Sequence, residues 1–401
     1  MNKKNETLLI LILGLITAIG PLSIDMYLPA FADIAKSLNT DVAKVSLSLS
    51  SFFAGLAIGQ LMYGPLLERF GRRTPIFIGL IIYMIASIGC AYVDTIFGLI
   101  LLRFFQAIGS CAGLVGGRAI VRDLYKTKEV ARKFSMLMMV VAVSPVIAPT
   151  LGSFITTSFN WQFIFITLTG FALVLLGVAA VFLPESAAPN KSFSLKPKTV
   201  VRNYINILKD RQFLIFSFGG AIAYAGLYAY LSGSPHLYLE IFNLNEAQYG
   251  TVFAIIAAGL LSASQINNII LKKHSEMKII YIALIAQCVV ATLWALVTYF
   301  ELSNLYITTF LIFSYLFCLG FIFPNASALS LERLGHTAGN ASALMGAIQM
   351  LMGSVASSMV GIFQNETVFP MIIVMLFSAL IASTILLRKK NHIIAAKLKF
   401  S

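Results

Sequence analysis

Apolar runs of about 20 residues, the length needed for a helix to cross a bilayer, recur from one end of the chain to the other. They lie near residues 7–31, 44–66, 74–93, 96–118, 133–157, 160–183, 212–234, 247–271, 279–299, 303–327, 339–363 and 367–387. These twelve runs, parted by short polar turns, predict an all-α polytopic membrane protein with twelve transmembrane helices. The first run follows Lys3 and Lys4, yet it is too long for a signal peptide. It also continues through Asp25 and Pro29 without a small-residue cleavage site, so it reads as a retained helix. The longest polar stretch, Pro184–Arg211, divides six runs from six. That spacing predicts two six-helix bundles, residues 1–184 and 212–401, joined by a linker over 185–211, with a short basic tail after the last span.

Composition sharpens this picture. Hydrophobic residues make up 59% of the chain and charged residues 11%, against roughly 45–50% and about 25% in soluble domains. A net charge of +13 would suggest nucleic acid in a soluble protein. Here the cations cluster in alternate turns instead. With the N-terminus in the cytoplasm, the inside segments hold Lys3 and Lys4; Arg69, Arg72 and Arg73; Arg122, Lys126, Lys128, Arg132 and Lys133. They also hold Lys191, Lys196, Lys198, Arg202, Lys209 and Arg211; Lys272, Lys273 and Lys278; Arg333; and Arg388, Lys389, Lys390, Lys397 and Lys399. That is 25 of the 29 cations, while the outside turns hold only Lys36 and Lys44. The bias predicts cytoplasmic termini and linker, and it requires an even number of spans. Cys90, Cys111, Cys288 and Cys318 all sit in apolar runs with no CxxC spacing. Secreted, nuclear and nucleic-acid-binding classes are therefore excluded. No Walker loop, dinucleotide fingerprint or nucleophile elbow is present, and no histidine pair has metal-ligand spacing. The chain is expected to be no enzyme and to need no cofactor or metal.

Polar residues inside spans mark the candidate chemistry, because an intramembrane charge is costly and needs a reason. Span four reads Arg103-Phe104-Phe105-Gln106, with Arg103 roughly 12 Å of helix inside the membrane. Arg103, Gln106, Ser110, Gly113 and Gly117 recur at three- and four-residue steps, and Gly109, Gly113 and Gly117 also suit close helix packing. In span one, Asp25 lies between Pro21 and Pro29, and it is the one acid well inside a span. Asp33, Asp41, Asp94, Glu240, Glu246, Glu301 and Glu366 all fall near outer ends. Measured from the outer ends of their runs, Asp25 and Arg103 are at nearly equal depth, which predicts an ion pair. Arg118 is about 22 Å deeper and makes a poor partner. Arginine holds its proton at any accessible pH, so the carboxylate would carry the proton and Arg103 would tune it. Tyr27, Gln106, Tyr224 and Tyr228 are candidates for lining a substrate cavity, with a lipid-facing position the alternative for the last two. In span five, Pro145 and Pro149 with Gly152 predict a kinked, closely packed helix. His236 reads as an interfacial histidine.

Several segments resemble one family. Gly64-Pro65-Leu66-Leu67-Glu68-Arg69-Phe70-Gly71-Arg72-Arg73 is similar to the major facilitator loop signature G-x-L-x-D-R-x-G-R-R, with Glu68 in place of Asp. Arg103-x-x-Gln106-x-x-Gly109 resembles that family's span-four signature, and Ser144-Pro145 to Gly152-Ser153 partly resembles its antiporter motif, with Ser144, Ala148 and Ser153 replacing glycines. Together with S-I-D-M-Y-L-P-A in span one, G-R-A-I-V-R-D-L-Y after span four and S-P-H-L-Y-L-E after span seven, these look like the bicyclomycin-resistance (Bcr/CflA) branch of drug:proton antiporters. The resemblance implies the major facilitator fold, a multi-pass protein of the bacterial cytoplasmic membrane and proton-driven export of small drugs by alternating access. Its expected partners are a small-molecule drug, protons and the lipid bilayer; a monomer is expected. It also implies a conformational latch of Gly64, Glu68, Arg69, Gly71, Arg72 and Asp123, in which Asp123 is the candidate partner of Arg69. A dedicated exporter of one metabolite, such as an amino acid or sugar, is the alternative. It would be expected to need more convergent polar groups than Asp25, Arg103 and Gln106.

Overall fold

The computed structural model describes residues 3–125, 127–192, 195–365 and 367–387; the tail cations at 388–399, Lys126 and Glu366 lie outside them. Every long element in the described residues is helical: α1 (Lys3–Asp25), α2 (Phe31–Ser37), α3 (Val42–Phe70), α4 (Arg73–Ala91), α5 (Ile96–Leu124), α6 (Thr127–Ser158) and α7 (Gln162–Phe182). After them come α8 (Pro197–Leu208), α9 (Arg211–Pro235), α10 (Glu246–Ile270), α11 (Glu276–Tyr299), α12 (Leu305–Leu331), α13 (Ala338–Phe363) and α14 (Phe369–Leu387). Twelve stretches are long and apolar enough to cross a membrane, six before α8 and six after it. Most helices extend a few residues beyond the apolar runs, because polar turns such as Leu66–Phe70 continue the helical hydrogen bonding past the hydrocarbon zone.

Two features depart from a reading of plain hydropathy. The first span is broken: α1 stops at Asp25, a 3₁₀ turn covers Leu28–Ala30, and α2 carries the chain on to Ser37. Pro29 has no N–H for the carbonyl four residues earlier, which is that of Asp25, so the ladder fails there. The span therefore runs Glu6–Ser37 and ends six residues later than its apolar run suggests. The second feature is α8, a regular helix inside a stretch whose composition reads as a polar linker.

Small residues set how closely the helices pack. A methyl at Gly109 would lie 2.5 Å from the backbone N of Tyr83, and one at Gly113 would meet Ile16, so α5 contacts α4 and α1 almost backbone to backbone. The close-packing role of that glycine series is real, alongside the polar role of Arg103 on the same helix. The first six spans meet the last six along two seams. In one, α3 packs on α13, with Ser50 donating to Ser357 at 2.8 Å and Ser354 donating to the Ser50 carbonyl at 2.8 Å. In the other, α6 packs on α10, with Thr150 against Gly250. Outward-facing side chains such as Ile85, Val174 and Phe310 are apolar and exposed, as lipid contact requires. The face that carries α8 and the α3–α4 turn is called the linker face below.

Candidate functional site

Seven residues into α5, Arg103 is fully buried. Its Nη1 donates to Gln106 Oε1 at 2.6 Å, and Gln106 Nε2 donates in turn to Ser87 Oγ on α4 at 2.6 Å. The guanidinium lies over two rings, 4.4 Å from the centroid of Tyr27 and 4.3 Å from that of Phe52, with Phe165 at 5.9 Å. Tyr27 shares a 2.7 Å hydrogen bond with Ser48 of α3. The ring quadrupoles attract the buried cation, which has no carboxylate in an ion pair with it among the described residues. Nε and Nη2 of Arg103 have no hydrogen-bond partner among the described residues.

Asp25, at the end of α1, is only 5% exposed and takes no hydrogen bond among the described residues. It lies within electrostatic reach of Tyr224, Tyr230 and Tyr249, all from the second six spans. Tyr230 stacks on Phe253 at 5.9 Å, and Tyr249 shares a 2.9 Å hydrogen bond with Ser234. Tyr228 packs its ring 4.6 Å from Phe53 of α3 and is buried in the seam, which excludes a lipid-facing position for it. Tyr224 packs between Tyr228 and Phe323, its ring tilted against both, with centroids at 5.6 and 4.6 Å.

The expected Asp25–Arg103 ion pair is not made in this structure. The apolar run of the first span ends near residue 31, whereas its helical course continues to Ser37; Asp25 therefore lies twelve residues from that end and Arg103 seven from Ile96. The candidates divide into two clusters instead. Arg103, Gln106 and Tyr27 form one within the first six spans, and Asp25, Tyr224 and Tyr228 line the junction between the two groups of six. Tyr230, which the sequence places near Tyr224 and Tyr228, belongs to the second cluster; Phe52, Phe53, Ser87 and Tyr249 complete the two and are not marked by sequence, because aromatic residues in an apolar run carry no sign of the side they face.

Span five bears directly on Asp25. Gly152 of α6 packs against the break in span one, where an added methyl would lie 2.1 Å from the Met26 carbonyl oxygen. Backbone cannot yield as a side chain end does, and overpacking of this kind costs about 1–3 kcal/mol or more. Gly152→Ala is accordingly expected to lower the melting temperature in detergent and to displace the turn that holds Asp25. A variant with parental melting temperature and transport would show that α6 does not shape this turn.

On the linker face, the α3–α4 turn builds a second polar site. Gly71 takes φ +82°, a conformation that suits glycine, and it reverses the chain between the two helices. Arg72, 3% exposed, then points beneath the bundle. Its Nε donates to Asp123 Oδ2 at 2.8 Å, its Nη2 to Glu68 Oε1 at 3.3 Å and its Nη1 to the Leu67 carbonyl at 2.7 Å. Arg122 lies 3.7 Å from Glu68. The partner of Asp123 is thus Arg72 and not the expected Arg69, because the reversal at Gly71 carries the residue after it, and not the one on the last turn of α3, across to α5. Two further residues join the site. Glu185 accepts from the backbone N–H groups of Arg72 at 2.5 Å and Arg73 at 3.2 Å, holding the start of α4, and Ser186 donates to Asp123 Oδ2 at 3.0 Å. Both follow Pro184 in a stretch that reads as linker. Gly64 lies beside the hydroxyl of Tyr204 of α8. No group of three or more metal-ligating side chains occurs among the described residues.

Comparison with known proteins gives these sites a setting. Residues 13–357 match the family model described as Major Facilitator Superfamily. The chain is 36% identical over 388 residues to an uncharacterized MFS-type transporter, YdgK, of Bacillus subtilis (strain 168), covering 95% of this chain and 94% of that one. It is 28% identical to a bicyclomycin resistance protein homolog of Haemophilus influenzae, covering 94% of each, and 26% identical to multidrug resistance protein D of Escherichia coli (strain K12), covering 90% of each. Its fold resembles that of a crystallised D-xylose-proton symporter, with a TM-score of 0.75 at 15% identity over 95% of this chain and 97% of that one. A bacterial homolog of the human lysosomal transporter Spinster, in an inward-facing and occupied conformation, gives 0.71 at 14% identity over 98% of each. With twelve apolar helices, a family match over most of its length and relatives along nearly all of it, the chain belongs to the Major Facilitator Superfamily, a family of membrane transporters and not of enzymes.

Proposed function

We propose that the protein exports small drug-like molecules across the bacterial cytoplasmic membrane in exchange for protons, by alternating access of two six-helix bundles, 1–184 and 212–401. One observation carries this reading: Asp25 is buried at the junction of the two bundles, opposite the tyrosines of the second. An acid between two moving bodies meets different surroundings in each state of the cycle, so its hold on a proton changes with the motion. Apart from Asp25, the junction is mainly aromatic, with Tyr224, Tyr228, Tyr230, Tyr249 and Phe253. Such a surface suits varied apolar molecules better than one hydrogen-bonded metabolite. The relatives' names, with bicyclomycin and multidrug resistance among them, favour the same substrate class. Arg103 then acts as a positioning residue: it holds Tyr27 and Gln106 on the first bundle and does not contact the proton site. The Arg72–Asp123–Glu68 cluster, with Arg69, acts as the conformational latch, and the prolines Pro145 and Pro149 let α6 follow the turn at Asp25.

The test is a panel of uncharged and cationic drugs added to everted vesicles holding an acid-inside pH gradient. Dissipation of the gradient by the exported drugs, and not by sugars or amino acids, is expected. Dissipation by one metabolite alone would favour the dedicated exporter.

The cation bias further places both termini and the linker in the cytoplasm in this reading. A cysteine introduced at Asn203, exposed on α8, should resist a membrane-impermeant thiol reagent in intact cells and react in everted vesicles. Ready labelling in intact cells would reverse the topology.

A further inference from the structure

The linker helix α8 is built to do more than connect. Tyr204 and Ile207 are buried in a separate apolar cluster with Phe213 and Ala221 of α9 and Ala341 and Leu344 of α13. The Tyr204 hydroxyl donates to the Leu61 carbonyl of α3 at 3.0 Å. One face of α8 therefore touches helices from both groups of six. These contacts fix the roll of the helix about its axis, and the remaining sequence can be read around it at 3.6 residues per turn. Next to the buried face comes an apolar stripe that nothing covers: Val201 is 52% exposed and Ile205 48%. Beyond that stripe come Lys198, Lys209 and Arg202, all exposed and none in an ion pair among the described residues. The far side is polar and uncharged, with Thr199, Asn203 and Asn206. Cations thus flank the apolar stripe on one edge only; Asp210, next to Lys209 in the chain, is engaged as the cap of α9, and Glu332 is bonded to Gln212.

The depth of the helix follows from its neighbours. The transmembrane helix α9 begins at Arg211, directly after α8, and Leu61 lies nine residues short of the end of α3. Tyr204 therefore reaches the inner turns of the bundle, beside the exposed apolar side chains of Met62 on α3 and Leu214 on α9. An apolar stripe at that level, with a row of cations along its edge, matches the boundary between acyl chains and headgroups.

The geometry points to α8 as an interfacial helix that docks on anionic phospholipid: Val201 and Ile205 enter the acyl boundary of the leaflet on the linker face, and Lys198, Arg202 and Lys209 bind the headgroup phosphates. Acidic headgroups complement a row of cations that makes no ion pair among the described residues. Because the same helix joins α3 to α9 and α13, the leaflet takes hold of the junction between the bundles at this point. The inference is independent of the substrate and of the proton.

The test uses the full chain in nanodiscs of phosphatidylcholine, with and without phosphatidylglycerol, which expose both membrane faces. A bimane label at Ile205→Cys, in a Cys288→Ser background, should be quenched by brominated acyl chains and shielded from aqueous iodide, while a label at Asn203→Cys should behave in the opposite way. Iodide reaching both labels equally would overturn the docking. The charge row is read by native mass spectrometry of retained lipid. Each of Lys198→Gln, Arg202→Gln and Lys209→Gln should lower the preference for phosphatidylglycerol over phosphatidylcholine about fivefold. An unchanged preference in all three single variants, each monodisperse on gel filtration, would overturn the headgroup assignment. So would full displacement of phosphatidylglycerol by inorganic phosphate, which would mark an ordinary anion site.

Discussion

Asp25→Asn is expected to reduce drug export driven by a pH gradient to background while leaving the binding of uncharged drugs within a few-fold of the parent. The substitution keeps the size and much of the polarity of the side chain and removes its titration. Asp25 is 5% exposed and lies within electrostatic reach of Tyr224, Tyr230 and Tyr249, with no hydrogen bond among the described residues for the amide to lose. Replacing a buried carboxylate that has no cationic partner with a neutral group removes a desolvation cost, so the variant should fold at least as well as the parent. Loss of transport in a stable, drug-binding protein is the signature of lost coupling. Uptake into everted vesicles, paired with equilibrium binding in detergent, separates the two effects. Parental uptake would move the proton site to another acid, while loss of binding together with transport would make Asp25 a substrate ligand alone.

Arg72→Ala is expected to exceed Arg69→Ala in its effect on turnover. Arg72 is nearly enclosed and holds Asp123, Glu68 and the Leu67 carbonyl at once. Removing one partner of an enclosed ion pair costs about 3 kcal/mol, roughly a hundredfold in a conformational equilibrium. That cost falls on whichever state contains the cluster. Turnover should drop while drug affinity, set at a site remote from the linker face, changes little. Glu185→Gln, which keeps acceptance from the start of α4 but loses its charge, should give an intermediate effect. Equal turnover for Arg72→Ala and the parent in a reconstituted assay would contradict a conformational role for this turn.

Much of this architecture is legible in the sequence because the bilayer leaves a chain few options. Without water, backbone polar groups must pair within the segment, so length and hydropathy alone mark the spans, and the bounds of α4, α7 and α13 agree with their apolar runs to within about two residues. The break after Asp25 is also marked, by Pro29, but its consequence for depth is not: the apolar run ends before the helix does. That is why an ion pair with Arg103 was expected and aromatic rings are found in its place. On the linker face, the motif spacing identified the right turn and the right acid, Asp123. Which arginine reaches it depends on the positive φ of Gly71, a backbone property that spacing does not report. Tyr249 stays hidden for another reason, since an aromatic residue in a membrane helix fits lipid, a neighbouring helix or a cavity equally well. The helix α8 was obscured by its average polarity, although its apolar residues recur at helical spacing once read residue by residue.

The central claim is that one buried carboxylate exchanges its proton against the drug. The most direct measurement is proton release from detergent-solubilised protein in weak buffer when an exported drug is added. The parent should release protons in proportion to bound drug, and Asp25→Asn, at drug concentrations that saturate it, should release none. Proton release from Asp25→Asn equal to that of the parent would contradict the account.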